Sequence, residues 1–357
     1  MEFKVNTSRM QKVILFFLIG ILSSCISKKD QKVTDVSLTG AGATFPLPYY
    51  DVTFKAFTDF TKIDVVYGGI GSGGGIRSLR DCIVDFGATD AFMSDKDMAK
   101  MPAPVIHIPT CMGAIVMGYN LPGIENLKLT GEIIANIYLG KITKWNDAQI
   151  KAVNPQVTLP ESAIYPVYRS DGSGTTYVFT DYLCKVSPEF EKVVGKGKSL
   201  KWPAGVAAKG NPAIAGLVSQ TIGTIGYIGS EYAFAAKIPF ALLQNHSGKY
   251  IKPSDKSISA AASGELPSDT RTMITDSPNP DAYPISCFTW IVIYKEQKYN
   301  NRSLAQAQAT VQLMEWLTDS VSQALTSEVN YSPLPVSAIR QAKEIIKTVT
   351  YEGKSLK

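Results

Sequence analysis

Short apolar runs alternate with longer amphipathic stretches along most of the chain. Residues 63–67 (Ile-Asp-Val-Val-Tyr), 83–86 (Ile-Val-Asp-Phe) and 114–119 (Ala-Ile-Val-Met-Gly-Tyr) are apolar or β-branched and bounded by Gly, Asn or Asp, which predicts short strands. Residues 288–294 are continuously apolar and β-branched, as a strand buried on both faces requires. Residues 164–168 form a weaker strand that Pro166 pushes towards a sheet edge, because proline donates no ladder hydrogen bond. Residues 50–61 predict a helix entered through Pro46 and Pro48. Leu304, Ala307, Val311, Met314 and Leu317 recur at helical spacing, and so do Ala338, Ala342, Ile345 and Val349. Helices interleaved with strands predict α/β layering with mainly parallel sheets. Two stretches, 196–211 and 254–284, lack either period and predict surface loops. No internal repeat or heptad pattern is visible.

The first residues break this alternation. Lys4, Arg9 and Lys12 precede an apolar run from Val13 to Leu22, too short to cross a bilayer but suited to a signal-peptide core. The run ends in Leu22-Ser23-Ser24-Cys25, which looks like a bacterial lipobox, so residues 1–24 are expected to be a lipoprotein leader and Cys25 the acylated N-terminus. The other reading is a secretory leader with an incidental cysteine. Residues 25–34 are then a polar tether. Removal of the leader leaves 333 of the 357 residues and lowers the formal charge of +5 to about +3. That is too mild, and too scattered, for a nucleic-acid binder.

Cys82, Cys111, Cys184 and Cys287 remain, without a CxxC pair or metal-ligand spacing. Export permits disulfides, but four cysteines allow three pairings, and free thiols explain them equally well. The chain has two histidines, His107 and His246, far apart in sequence, which makes a zinc site or a Ser-His-Asp hydrolase hard to build. His107 lies in an apolar run and reads as a strand histidine. Metal and cofactor are therefore not expected.

Three glycine-bearing turns carry the candidate chemistry: Gly40-Ala41-Gly42-Ala43-Thr44-Phe45-Pro46, Gly71-Ser72-Gly73-Gly74-Gly75 and Arg169-Ser170-Asp171-Gly172-Ser173-Gly174-Thr175. Each is placed to open a helix, whose unpaired N–H groups and partial positive charge favour an anion. Arg169 adds a planar fork of donors, and Asp171 is placed either to hold that fork or to meet a ligand. Ordinary chemistry competes at each position: Ser72 and Ser173 as helix caps, Asp-Gly-Ser as an Asx turn, Gly68–Gly75 as a flexible turn. Asp90, in Phe86-Gly87-Ala88-Thr89-Asp90-Ala91, reads either as a cap for a helix at 95–100 or as an acceptor inside the anion site. A carboxylate there makes sense only for an anion that still carries a proton, as phosphate does near neutral pH and sulfate does not.

The segment Leu38-Thr39-Gly40-Ala41-Gly42-Ala43-Thr44-Phe45-Pro46 resembles the start of the mature phosphate-binding proteins of high-affinity phosphate ABC transporters. The resemblance continues, in the family's order, through 69–75, 84–91, Ile137-Tyr138-Leu139-Gly140-Lys141-Ile142-Thr143-Lys144-Trp145, Arg169–Thr175 and Ile225-Gly226-Tyr227, covering nearly the whole mature chain. It implies an α/β protein of the type II periplasmic-binding-protein fold, two α/β lobes with a ligand cleft between them. The implied boundaries are a discontinuous lobe I, 35–115 plus 284–357, and a lobe II, 116–283. It implies that Thr44, the Phe45 amide and Ser72 bind phosphate from one lobe, and Arg169, Ser173, Gly174 and Thr175 from the other. Asp90 would accept the phosphate proton, and Asp171 would orient Arg169. Tyr168 departs from the family, in which a basic residue can precede the arginine. The resemblance further implies a monomeric, non-enzymatic receptor, lipid-anchored and periplasm-facing, that delivers phosphate to an ABC permease. The alternatives are a receptor for sulfate, molybdate or tungstate, a phosphatase using Ser173 or Thr175, and a surface phosphate sensor or adhesin.

Overall fold

One fifteen-residue strand, Val105–Tyr119, organises the molecule. The computed structural model describes residues 36–356; the leader, the tether and Cys25 lie outside the described residues. The strands are β1 (Ser37–Gly42), β2 (Asp64–Gly69), β3 (Phe86–Thr89), β4 (Val105–Tyr119), β5 (Lys128–Leu129), β6 (Tyr165–Arg169), β7 (Val206–Ala208), β8 (Thr224–Gly229), β9 (Leu242–Gln244), β10 (Tyr250–Ile251) and β11 (Ser286–Tyr294). Eight of them form one sheet in the order β2-β1-β3-β11-β4-β8-β6-β7. Up to Ala114, β4 pairs antiparallel with β11; from Ile115 it pairs antiparallel with β8. At about 3.4 Å per residue β4 reaches roughly 50 Å, long enough to serve two halves of the fold in turn.

Each half is α/β. In the first, β2, β1 and β3 run parallel, with the Leu47–Thr61 and Ser72–Arg80 helices following β1 and β2. In the second, β8, β6 and β7 run parallel, with the Gly174–Val186, Gly210–Gln220 and Ser230–Ala235 helices following β6, β7 and β8. In such sheets ligand loops lie beyond the carboxyl ends of the strands. The glycine-bearing turns occupy those ends: one after β1, one after β2, one after β6. The second helix packs against β1 so closely that a Cβ at Gly75 would stand 2.3 Å from the Ala41 carbonyl oxygen and 2.4 Å from Gly42 Cα. Glycine is needed at this position for contact, not for turn conformation.

Aromatic side chains fill both halves. Phe45 meets Tyr331 edge-on with ring centres 5.8 Å apart, and Tyr50 stacks on Phe54 at 4.8 Å. In the other half Phe179 stacks on Tyr227 at 4.3 Å, with Trp202 beside both. β11 is buried along its whole length, as its apolar run requires.

Several sequence expectations shift. The strand expected at 83–86 begins only at Phe86, because Cys82 turns through a positive φ of 54° and Asp85 is held by Arg302 and by the Thr39 N–H at 2.6 Å. β6 is not an edge strand, since β8 and β7 flank it. Pro166 is tolerated because it lies where β6 pairs with β8 alone; pairing with β7 starts at Val167. The stretch 254–284 contains a capped helix, Asp255–Ala261, and 196–211 contains β7. The glycines at 73–75 lie inside a helix, not a flexible turn. The four described cysteines are free thiols.

Candidate functional site

The ends of β1, β2, β3, β6 and β7 converge on one buried polar cluster. Thr44, Ser72, Asp90, Arg169, Ser173 and Thr175 are all buried there. The two halves touch directly: the Gly174 N–H donates to Ser72 Oγ at 3.0 Å, and the Thr175 hydroxyl to Asp90 Oδ2 at 3.3 Å. A Cβ at Gly174 would lie 2.5 Å from Ser72 Oγ and 2.7 Å from the Asp90 nitrogen, so glycine is what lets the halves meet. Each contact links residues far apart in sequence, 102 positions in the Ser72–Gly174 case.

Local chemistry sets each side chain. Gly71 is the N-cap of the second helix and Ser72 its first residue, which frees Ser72 Oγ to accept across the junction. The competing assignment of Ser72 as a plain cap does not hold. Ser173 does cap its helix, accepting the Thr176 N–H at 3.0 Å, as the competing reading has it, and its hydroxyl lies within the buried cluster. Ser94, not Asp90, caps the short helix at Asp95–Met98. The Phe45 carbonyl accepts from the Tyr331 hydroxyl, which pins the turn carrying the Phe45 amide.

Arg169 is immobilised on two sides. Its backbone N–H donates to the Tyr227 hydroxyl at 2.9 Å, and its guanidinium forms a two-point pair with Asp171 at 2.7 and 2.5 Å. Burial works against the Asp171 charge, but Arg169 and the Gly210 N–H outweigh it and hold the carboxyl below its ordinary range. A bidentate pair of this kind fixes the plane of the fork and leaves its remaining N–H groups aimed into the cluster.

Asp90 is the acceptor among these donors. Burial raises its pKa to about 6, against the opposing effects of the Thr289 hydroxyl at 3.0 Å and of Arg169 and Thr175. Above that pH it is an ionised carboxylate facing hydroxyl and guanidinium donors. The arrangement suits a small tetrahedral anion that carries a hydrogen.

Sequence reading missed four contributors. Asn211, from the start of the Gly210–Gln220 helix, donates to both Thr44 and Thr175. Thr289 reaches Asp90 from β11. Tyr232 donates to the Thr44 carbonyl at 2.5 Å. Lys198 accepts the Ser173 N–H on its carbonyl at 2.8 Å and adds a positive charge that favours the ionised form of Asp90. Of these, Asn211 alone carried a local signal, a Gly-Asn pair opening a helix. His107 is a buried strand histidine, accepting the Met93 N–H at 3.0 Å on Nε2, and burial lowers its pKa to about 3. His246 lies elsewhere, beside Asp276.

Two α/β lobes that meet strand-end to strand-end over a donor-lined cleft define a substrate-binding protein of the type II periplasmic-binding architecture. Comparison with known proteins agrees: a family model described as PBP superfamily domain matches residues 29–321. The chain is 38% identical to the phosphate-binding protein PstS of Xylella fastidiosa over 316 residues, covering 87% of this chain and 85% of that protein. It is 36% identical to the phosphate-binding protein PstS of Pasteurella multocida, covering 95% of this chain and 98% of the other. The crystal structure of a phosphate-binding protein from Stenotrophomonas maltophilia shares the fold at a TM-score of 0.66, with 19% identity over 86% of this chain and 92% of that one. The chain therefore belongs to the PBP superfamily and, within it, to the family of these phosphate-binding proteins.

Proposed function

We propose that the protein is a receptor for inorganic phosphate that captures the anion between its two lobes and delivers it to a membrane ABC permease. One observation carries the reading: donors surround a cleft whose acceptor is the buried carboxylate of Asp90. Hydrogen phosphate supplies a proton to that carboxylate, whereas sulfate or molybdate would set its own lone pairs against it. The names of the relatives, phosphate-binding proteins from two bacteria, support the same ligand.

In this reading Thr44, the Phe45 amide and Ser72 donate from lobe I, and Arg169, Ser173, the Gly174 amide and Thr175 donate from lobe II. Asp90 accepts the ligand proton and Asp171 holds Arg169 in place. Charge-assisted hydrogen bonds contribute roughly 1.5–3 kcal/mol each, so several suffice for tight capture after the cost of closure. We place lobe I at 35–115 plus 284–357 and lobe II at 116–283; the change of β4 partner between Ala114 and Ile115 and the return of the chain as β11 support those limits. Binding and release by hinge closure require no covalent step. Ser173 already caps a helix, and both histidines lie outside the cluster, which leaves a nucleophile there without an imidazole base.

No helix among the described residues is long and apolar enough to cross a membrane. The leader pattern supports export and acylation at Cys25, which would hold a monomeric receptor at the envelope surface facing the periplasm, beside its permease. Calorimetric titration of the purified protein with phosphate and with sulfate at pH 8 tests the ligand assignment. Phosphate should bind at least about 100-fold more tightly; preferential sulfate binding would overturn it.

A further inference from the structure

We propose that Asn211 turns Thr44 and Thr175 into obligate hydrogen-bond donors towards the bound anion, a positioning role exerted through those hydroxyls. The inference rests on the phosphate-site reading above and deepens it. Asn211 is the second residue of the Gly210–Gln220 helix and is fully buried. The orientation of its amide follows from its neighbours. The Gly229 N–H donates to Oδ1 at 3.1 Å, so the atom facing Gly229 must be the oxygen and the other must be the NH2 group. That NH2 group donates to Thr44 Oγ1 at 3.1 Å and to Thr175 Oγ1 at 3.2 Å.

Each threonine receives a second N–H. The Asn211 backbone amide donates to Thr44 Oγ1 at 3.1 Å, and Arg169 Nη1 to Thr175 Oγ1 at 3.4 Å. A hydroxyl oxygen has two lone pairs and one proton. With both lone pairs engaged, each threonine can offer any further neighbour only its proton. Thr175 gives that proton to Asp90 Oδ2, and an anion whose own hydrogen takes that carboxylate releases it for an anion oxygen. Neither hydroxyl can then rotate to set a lone pair against an oxyanion, a repulsion that a free rotor would permit. Thr44 belongs to the β1 half and Asn211 to the β7–β8 half, so the orientation is completed as the halves come together.

The test is calorimetric titration of inorganic phosphate into the purified protein and into Asn211→Asp, Asn211→Ala, Thr44→Val and Thr44→Val/Asn211→Ala, each checked for folding by circular dichroism. Asn211→Asp places an acceptor of the same size where the NH2 stood, so both hydroxyls turn their protons to it, and a negative charge is added. It should lose at least about 100-fold in phosphate affinity, against about 10-fold for Asn211→Ala. In the Thr44→Val background, Asn211→Ala should cost several-fold less, because one of its two targets is gone. A residue that merely supports the helix would cost the same in both backgrounds. Unchanged binding by a folded Asn211→Asp, or additive losses in the cycle, would overturn the inference; should Asn211→Asp not fold, the Thr44 cycle decides. Failure of the parent protein to bind phosphate would instead remove the reading on which the inference stands.

Discussion

Replacing Asp90 with asparagine should make the ligand-free protein more stable and the binding site less selective. Burial moves the Asp90 pKa from an ordinary 3.8 to about 6. At about 1.4 kcal/mol per pH unit, keeping this carboxylate ionised above pH 6 costs the fold about 3 kcal/mol. The sign follows from proton uptake. Between roughly pH 4 and 6 the folded chain holds more protons at this site than the unfolded chain, so the stability from the protonated form is complete near pH 4 and lost as pH rises through about 6. His107 acts in the opposite direction, with its pKa lowered from 6.5 to about 3, so stability is lost as pH falls below 6.5. The two contributions nearly offset each other between pH 4 and 6 in the parent protein, which makes the difference between variant and parent the informative quantity. Urea unfolding of both, phosphate-free, from pH 4 to pH 8 should give Asp90→Asn an advantage of up to about 3 kcal/mol at pH 8. That advantage should shrink to nothing or reverse near pH 4, where both side chains are neutral. The Thr289 hydroxyl bond can persist on the asparagine oxygen, but the new NH2 must find an acceptor near Thr175, which already receives two N–H groups. In calorimetry at pH 8 the same variant should lose at least about 10-fold of its preference for phosphate over sulfate. An advantage independent of pH, or sulfate still fully excluded, would refute the assignment of Asp90 as a buried acceptor.

Arg169→Ala should weaken phosphate binding by at least about 100-fold in the same titration, since two charge-assisted donors are lost, and should let the Asp171 carboxyl rise from its lowered range. Gly174→Ala should weaken phosphate binding about 100-fold or more, because the added Cβ would wedge Ser72 and Asp90 away from the helix start. Its ligand-free melting temperature should move little, since opening the cleft relieves the clash. Gly75→Ala places its Cβ against the β1 backbone inside one half, where nothing can open, and should cost about 2–4 kcal/mol in urea unfolding.

Much of this protein is written in local signals. The alternation of strand and helix, the helix entered through Pro46 and Pro48, the buried run that became β11 and the Arg169–Asp171 pair were all readable, because each depends on residues within a few positions of one another. Local signals failed where distant partners decide. The strand expected at 83–86 was displaced by the clasp of Arg302 on Asp85, from 217 positions away. Pro166 marked an edge that the sheet provides for two residues only, before β7 joins. On local residues alone Asp90 read as a helix cap; Thr289, 199 positions on, and Thr175 enclose it instead. Asn211 shows in the sequence only a Gly-Asn pair opening a helix, and its tie to the site comes through Thr44, 167 positions earlier. Sequence thus specified the donors, since hydroxyls, glycine turns and an arginine are properties of short segments. Tertiary structure decided which of them share one buried volume, and with it the raised pKa of Asp90, because burial and the proximity of distant charges exist only once the two halves have met.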